Sequence, residues 1–227
     1  SLKAAKLSSS VVDKYFIPSG QYIMTKTIQY YYSSYSAYAY IGHQCLLNIA
    51  KNAGRLIEHK PFNLIECLNQ IGSQPLPERT KASLNYHFQR QRDRWAEFRN
   101  VEMPSQTPTN HSKAADLGDR VLLACISLGL NIDNLAYTFM SNHWIKDTDL
   151  TDAEQIKDIL ISKTFEADNL LEAADTDKIR QSYKENTEMA IELSVFGSPT
   201  YFVDEDMFYG QDNLDLVERT LASPFKK

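Results

Sequence analysis

The chain has 227 residues, 43% of them apolar and 23% charged, and a formal net charge of −5. That length allows one large domain or two small ones with a real core. The acidic balance argues against nucleic acid as a partner, because phosphate recognition needs a basic footprint, and no run reaches the roughly 18 apolar residues of a membrane span.

In chain order, residues 1–25 come first. They carry Lys3, Lys6 and the polar run Ser8-Ser9-Ser10, without an apolar stretch of signal-peptide length. They read as an N-terminal extension, native or left by expression, with Met24 a candidate start. Residues 28–32 are rich in β-formers and read as a first strand, with residues 33–36 the loop after it. From Ala37 the pattern turns helical, with Ile41, Cys45 and Ile49 on one face. Gly54 is placed to end that helix as its C′ residue, and residues 55–62 read as a second strand. A strand, a helix and a strand at this spacing suit a parallel pair.

The middle is different. From about residue 80 to about residue 186, helical periods dominate. Leu117, Val121, Cys125 and Leu128 form one stripe, and Ile132, Leu135 and Phe139 a second. Ile156, Ile159 and Leu160 form a third, and Ile179, Tyr183, Ala190 and Ile191 a long fourth. Residues 103–111, with two prolines among Ser, Thr and Asn, read as a loop. The three cysteines, Cys45, Cys67 and Cys125, are odd in number and form no C-x-x-C pair. They are no disulfide framework, which suits a reducing cytoplasm, and each is expected as a small buried hydrophobe.

The most informative stretch lies near the C-terminus. Phe196-Gly197-Ser198-Pro199 leads into Thr200-Tyr201-Phe202-Val203, a turn at Asp204-Glu205-Asp206, then Met207-Phe208-Tyr209 and the polar run Gly210-Gln211-Asp212. The two β-forming triplets about the turn predict a hairpin, and Pro199 before a strand invites a cis peptide. Asp212 or Asn213 is the expected cap of a last helix whose Leu214, Val217 and Leu221 face inward.

Gly197-Ser198-Pro199-Thr200-Tyr201-Phe202-Val203 closely resembles the proline loop of the thioredoxin superfamily. Its continuation, from Phe208 to Leu214, resembles the branch that holds 2-hydroxychromene-2-carboxylate isomerases and kappa-class glutathione transferases. The order β-α-β, helical block, β-β-α then reads as an α/β thioredoxin-like fold with a large all-helical insertion. The expected parts are residues 26–67 and 186–227 for the thioredoxin-like domain and residues 68–185 for the insertion.

Thioredoxin-like folds put their reactive group at the N-terminus of the first helix, where unpaired N–H groups and the helix dipole favour an anion. The stretch from Tyr32 to Ile41 is similar to the family's aromatic-x-x-x-Ser-Pro-Tyr-x-Tyr-Leu segment, with Ala37 in place of the proline. On that match Ser36 is the essential serine, and Ala39 stands where a disulfide oxidoreductase has its second cysteine. A Ser-x-x-Ala segment cannot cycle between dithiol and disulfide, so a DsbA-type oxidase is set aside. The resemblance implies glutathione as the source of the sulfur, its thiolate receiving a hydrogen bond from the Ser36 hydroxyl. It also implies that Ser198, before Pro199, pairs with the cysteinyl part of glutathione. Gln211 and Asp212, flanked by Tyr209 and Gly210, are implied for the γ-glutamyl end. No metal is needed, and no Ser-His-Asp triad is inferred, since none of the five histidines carries a motif.

For the second substrate the family's Gly-Asn and the basic residue after it map onto residues 72–81. There Ser73 stands in place of the asparagine, and Arg79 or Lys81 is the basic candidate for a substrate carboxylate. Asn63 offers another amide. Tyr86, His87 and Phe88, with Arg94 and Trp95, share one predicted helix, and His143-Trp144 reads as packing. The function implied is a glutathione-dependent isomerase acting on an aromatic-degradation keto acid. The alternatives are a kappa-like transferase or peroxidase acting on an electrophile, and a non-catalytic thioredoxin-like interaction module. Relatives in this branch are commonly homodimers, which is the expectation carried over here.

Overall fold

The computed structural model describes the backbone at residues 14–16 and 22–24 and the full structure of residues 26–74 and 78–226. The extension expected over residues 1–25 therefore lies outside the described residues, apart from two short antiparallel strands, β1 (Lys14–Phe16) and β2 (Tyr22–Met24).

A four-stranded mixed sheet forms the centre, in the order β4-β3-β5-β6. Strand β3 (Thr27–Tyr32) runs parallel to β4 (Leu56–Pro61) and antiparallel to β5 (Thr200–Val203), which pairs antiparallel with β6 (Asp206–Tyr209). Helix α1 (Ala37–Asn52) makes the crossover between β3 and β4. Its C-terminal turn runs through Ala53 into Gly54, whose φ of +63° is the left-handed conformation that favours glycine. Helix α10 (Leu214–Ala222) follows β6 and packs on α1 and the hairpin. The β-α-β and β-β-α halves are thus those of a thioredoxin-like α/β fold.

Between the halves lie α2 (Leu64–Gln70), α3 (Lys81–Asn85), α4 (Gln91–Arg99), α5 (Asp116–Ser127), α6 (Asp133–Lys146), α7 (Ala153–Ser162), α8 (Ala167–Ala174) and α9 (Asp177–Glu192). A π-helical turn at Tyr86–Arg90 joins α3 to α4. The periodicity located α5, α6, α7 and α9, but missed the separate short α8. It also placed Leu128 in the α5 stripe, whereas α5 ends at Ser127 and Leu128 is 60% exposed. Helix α9 runs across residue 185, so the expected boundary there falls inside a helix. No described helix is long and apolar enough to cross a membrane.

Successive residues of a strand point to opposite faces, and here that alternation makes two cores. Ile28, Tyr30 and Tyr32 of β3 and Tyr201 and Val203 of β5 join a large cluster with α1 and helices α5 to α9. Tyr31 and Phe202 turn the other way, onto Phe62, Cys67, Ala190 and Val195. The insertion therefore has no core of its own: it completes the large one.

That joint is polar at its centre. Tyr30 stacks on Tyr32 at 4.2 Å and on Tyr201 at 5.5 Å between ring centroids. The hydroxyl of Tyr30 meets His43 Nδ1 at 3.4 Å, and that of Tyr32 meets His59 Nδ1 at 3.0 Å. A carbonyl can only accept, so His43 Nε2–H donates to the Asp133 carbonyl at 2.7 Å, while His59 Nε2 meets the Asp133 carboxylate at 2.9 Å. Both histidines thus tie the sheet and α1 to the first residue of α6. Burial, and then the neighbouring His59, push His43 down to about 4.

Helix α1 lies against the turn before α10 with no room to spare. A Cβ on Gly42 would sit 2.6 Å from Gln211 Cβ and 3.3 Å from the Tyr201 hydroxyl. Gly42→Ala is expected to destabilise the protein on balance. Overpacking costs about 1–3 kcal/mol, against about 1 kcal/mol gained when alanine replaces a helical glycine. A urea titration with a lowered midpoint and unchanged slope checks this; a raised midpoint contradicts it.

Candidate functional site

Strand β3 ends at Tyr32, and residues 33–36 turn the chain into α1. Ser36 is the N-cap, with extended backbone (φ −70°, ψ 123°), and its Oγ accepts from the Ala39 N–H at 3.3 Å. The first turn of α1 carries no acidic residue. The positive end of the helix is therefore unneutralised from within, and its leading N–H groups have no intrahelical acceptors.

The antiparallel pairing of β3 with β5 brings the proline loop beside this turn. The Ser198–Pro199 peptide is cis, as expected. The Ser36 hydroxyl donates to the Ser198 carbonyl at 2.9 Å, and the Ser33 N–H donates to Ser198 Oγ at 3.1 Å. Behind the loop, the Gly210 N–H donates to the Pro199 carbonyl at 2.9 Å, and the Thr200 hydroxyl donates to the Gly197 carbonyl at 2.8 Å. Ser36, Ser198 and Pro199 thus come together at one place.

The insertion grips the same turn from beneath, through residues that the sequence pattern did not single out for this role. The Asp119 carboxylate on α5, fully buried, accepts from the Ser33 hydroxyl at 2.7 Å and from the Ser34 N–H at 2.9 Å. Burial pushes its carboxyl up to about 7, against the two serines, which pull it down. The Trp144 Nε1–H donates to the Tyr35 carbonyl at 3.1 Å, which gives this packing residue a polar anchor. Beside it, His143 Nδ1–H donates to the Thr148 carbonyl and His143 Nε2 meets His111 Nδ1, both at 3.0 Å. Burial and His143 hold His111 down near 4. Arg92, 1% exposed, lies 5.6 Å from the Trp144 ring and is held by Asp93 and the Pro104 carbonyl.

The polar run after β6 divides. Tyr209 and Asp212 are exposed and Gly210 is buried, with a φ of +90° that strains any residue but glycine; a Cβ there would also push aside the Asp212 carboxylate, 2.3 Å away. The Asp212 charge reaches Tyr38 and Tyr209, whose phenols are raised chiefly by burial. Gln211 departs from the expected ligand-facing role. It is 1% exposed, with its Oε1 receiving Arg99 Nε at 3.3 Å and its carbonyl receiving Arg99 Nη2 at 3.2 Å. Its Nε2 is buried without a partner. The expected caps also differ: α10 starts from a 3₁₀ turn at Gln211–Asn213, and neither Asp212 nor Asn213 gives it a side-chain cap.

The substrate candidates scatter. Asn63 caps α2, its side chain accepting from the Glu66 N–H at 3.1 Å. Ser73 follows the C-terminus of α2, where its N–H donates to the Leu68 carbonyl. The charge of Arg79 is felt at Tyr209, and its guanidinium lies 5.9 Å from the Phe88 ring. Lys81 is exposed at the first residue of α3. Tyr86 and Phe88 are exposed on the same arm, which Tyr38 ties to α1 by donating to the His87 carbonyl. Trp95 is only partly buried.

Cys67 and Cys125 are buried, and burial raises their thiols to about 11 and about 12. Cys45 departs from the expectation of burial. It is partly exposed, with Arg99 Nη1 at 3.2 Å from its Sγ, in a cleft of about 310 Å³ on the outer side of α1. A second cleft of about 420 Å³ lies between α5, α7 and α8. Neither cleft includes Ser36 or Ser198.

Comparison with known proteins agrees with the fold. The profile of the DSBA-like thioredoxin domain matches residues 27–222. A 2-hydroxychromene-2-carboxylate isomerase of Sphingobium xenophagum is 25% identical over 202 residues, spanning 87% of this chain and 99% of that protein. A solved 2-hydroxychromene-2-carboxylate isomerase superposes with a TM-score of 0.71 at 20% identity, over 86% of this chain and 94% of that one. A probable DsbA oxidoreductase from Streptomyces coelicolor superposes with a TM-score of 0.69 at 12% identity, over 89% of this chain and 93% of that one.

Two buried groups near the site oppose each other in acid. His43 is lowered from 6.5 to about 4. Between those values the unfolded chain takes up a proton that the folded one refuses, so stability falls as pH drops, by up to about 1.4 kcal/mol per pH unit. Asp119 is raised from 3.8 to about 7, so the folded chain keeps a proton that the unfolded one releases. Its contribution to stability therefore grows as pH falls through that window. Asp119→Asn should accordingly lose stability more steeply with falling pH than the parent; parallel urea-derived stability curves would contradict this.

Proposed function

The chain belongs to the family of DSBA-like thioredoxin domains, and on that premise we propose that it is a glutathione-dependent isomerase of an aromatic keto acid, working in the cytoplasm. One observation carries the reading: a serine hydroxyl at the α1 N-terminus bonds the carbonyl that precedes a cis-proline, with Ala39 in place of a second cysteine. The chain's own thiols stand elsewhere, with raised pKa values at all three. A redox cycle on this helix therefore lacks its sulfur pair. The names of the curated relatives supply the isomerase.

The residues present fit a tripeptide thiol. Bound glutathione would supply a thiolate for reversible addition to an unsaturated acid, so that a double bond could rotate. The chain's part is to hold and ionise that thiol. Ser198 offers its backbone, and a ligand N–H arriving at its carbonyl would release the Ser36 hydroxyl. That hydroxyl can then donate to sulfur, beside helix N–H groups that favour the anion. Asp212 suits an ammonium group, whereas Gln211, turned onto Arg99, contributes by holding the turn in place. Arg79, its guanidinium 5.9 Å from the Phe88 ring, suits a substrate carboxylate.

Calorimetry with glutathione tests the reading directly. Absence of heat at millimolar glutathione with folded protein would favour a non-catalytic module. Conjugation of an electrophile without isomerisation would favour a transferase, which the open aromatic arm also admits.

Two substitutions sharpen this. Ser36→Ala should lower turnover about 10²–10³-fold, as for removal of one donor to a developing anion. The accompanying loss of stability should be only the capping term of about 0.5–2 kcal/mol. Unchanged turnover removes Ser36 from the mechanism. Asp212→Ala should weaken glutathione binding while leaving the affinity for the aromatic acid nearly unchanged; equal losses would make Asp212 a merely structural residue.

A further inference from the structure

We propose that Asp119 is the positioning residue of this site: from the insertion helix α5 it fixes the Ser33–Ser36 turn and, through that turn, the alignment of Ser36 with Ser198. The proposal rests on the function proposed above, but its structural part can be tested without any ligand.

The connection is a closed ring of hydrogen bonds. Asp119 accepts from the Ser33 hydroxyl and the Ser34 N–H, at 2.7 and 2.9 Å. The Ser33 N–H donates to Ser198 Oγ at 3.1 Å, and the Ser33 carbonyl receives the Ser36 N–H at 3.0 Å. The Ser36 hydroxyl closes the ring on the Ser198 carbonyl at 2.9 Å. Ser33 makes three of these bonds, Ser36, Ser198 and Asp119 two each and Ser34 one, and Asp119 is the only one of the five residues outside the two loops. Gly118 packs beside the same turn: a Cβ there would meet Ser34 Oγ at 3.4 Å, an ordinary contact, and Leu150 Cβ more tightly at 3.3 Å.

A carboxylate is a costly way to fill this place. It is fully buried, and the titratable groups that face it add no positive charge: Asp116 on its own helix, Tyr32 on β3, Tyr35 in the turn and Tyr183 on α9. Burying an ion without a counter-ion is strongly unfavourable. Two hydrogen bonds to one loop are what this carboxylate does. Its ionised form accepts both strongly, whereas a protonated carboxyl near neutral pH holds them less tightly. The turn, and the thiol site on it, should therefore tighten as Asp119 loses its proton.

The test compares the full-length parent with Asp119→Asn, which keeps the shape and one acceptor, and with Asp119→Ala. Hydrogen exchange at the Ser34 amide, without ligand, should speed up about tenfold or more in both variants. In the parent, Ser34 protection, corrected for intrinsic exchange, should rise through neutral pH; in Asp119→Asn that step should vanish. Glutathione binding followed by calorimetry should lose the same neutral-pH step in Asp119→Asn, while circular dichroism stays that of the parent. Unchanged Ser34 protection with an unchanged pH profile in Asp119→Asn overturns the proposal, even if Asp119→Ala fails to fold. Should the parent bind no glutathione, the functional reading fails by itself, and the exchange data still decide the role of Asp119.

Discussion

The antiparallel register of β3 with β5 is the constraint on which the site depends. It sets Tyr31 opposite Thr200, so the chain leaves β3 and enters β5 at the same end of the sheet. Ser36 and Ser198, 162 residues apart in sequence, become hydrogen-bond partners. A buried backbone carbonyl needs a donor, and Pro199 leaves the local chain one N–H short. The Ser36 hydroxyl meets that need while its oxygen also caps α1. One side chain thus closes a helix and a loop, and sits where a helix N-terminus favours an anion.

The insertion is part of the same device. Its helices share the large core with one face of the sheet, and they reach the site by polar contacts at chosen points. Asp133 receives His43 and His59, Asp119 receives the Ser33–Ser34 turn, and Trp144 holds the Tyr35 carbonyl. Apolar packing alone sets the distance between layers but is not directional. Hydrogen bonds to backbone groups set orientation as well. The loop that carries Ser36 is fixed from the sheet side by Ser198 and from the insertion side by α5 and α6.

Chemically, the arrangement separates two jobs that a disulfide oxidoreductase combines. Such an enzyme carries its sulfur at the start of α1; here the helix start keeps the electrostatics and offers a hydroxyl, and the cysteine of α1, Cys45, lies two turns further on. The cysteines lie where their pKa values are raised, chiefly by burial, away from the helix start. Exposed aromatic rings, Tyr209 and Phe196 after α9 and Tyr86 and Phe88 on the arm bound to Tyr38, lie at the surface of the same chain.

By itself the sequence determined what depends on neighbours along the chain. The strand triplets about Asp204-Glu205-Asp206, the serine before Ala37, the Ser198–Pro199 bond and the inward stripes of α5 and α9 are short-range patterns, and they marked the two halves of the fold and the core of the site. Tertiary structure decided what depends on partners far off in sequence. Gln211 has the composition of a ligand-binding residue, yet Arg99, 112 residues away, turns it inward. Asn63 has an amide suited to a substrate, yet it caps its own helix. Asp119 stands amid an apolar helical stripe with no motif of its own. Only the folding of α5 against the first turn makes that carboxylate the anchor of Ser33 and Ser34, because a buried charge takes its role from the groups that surround it.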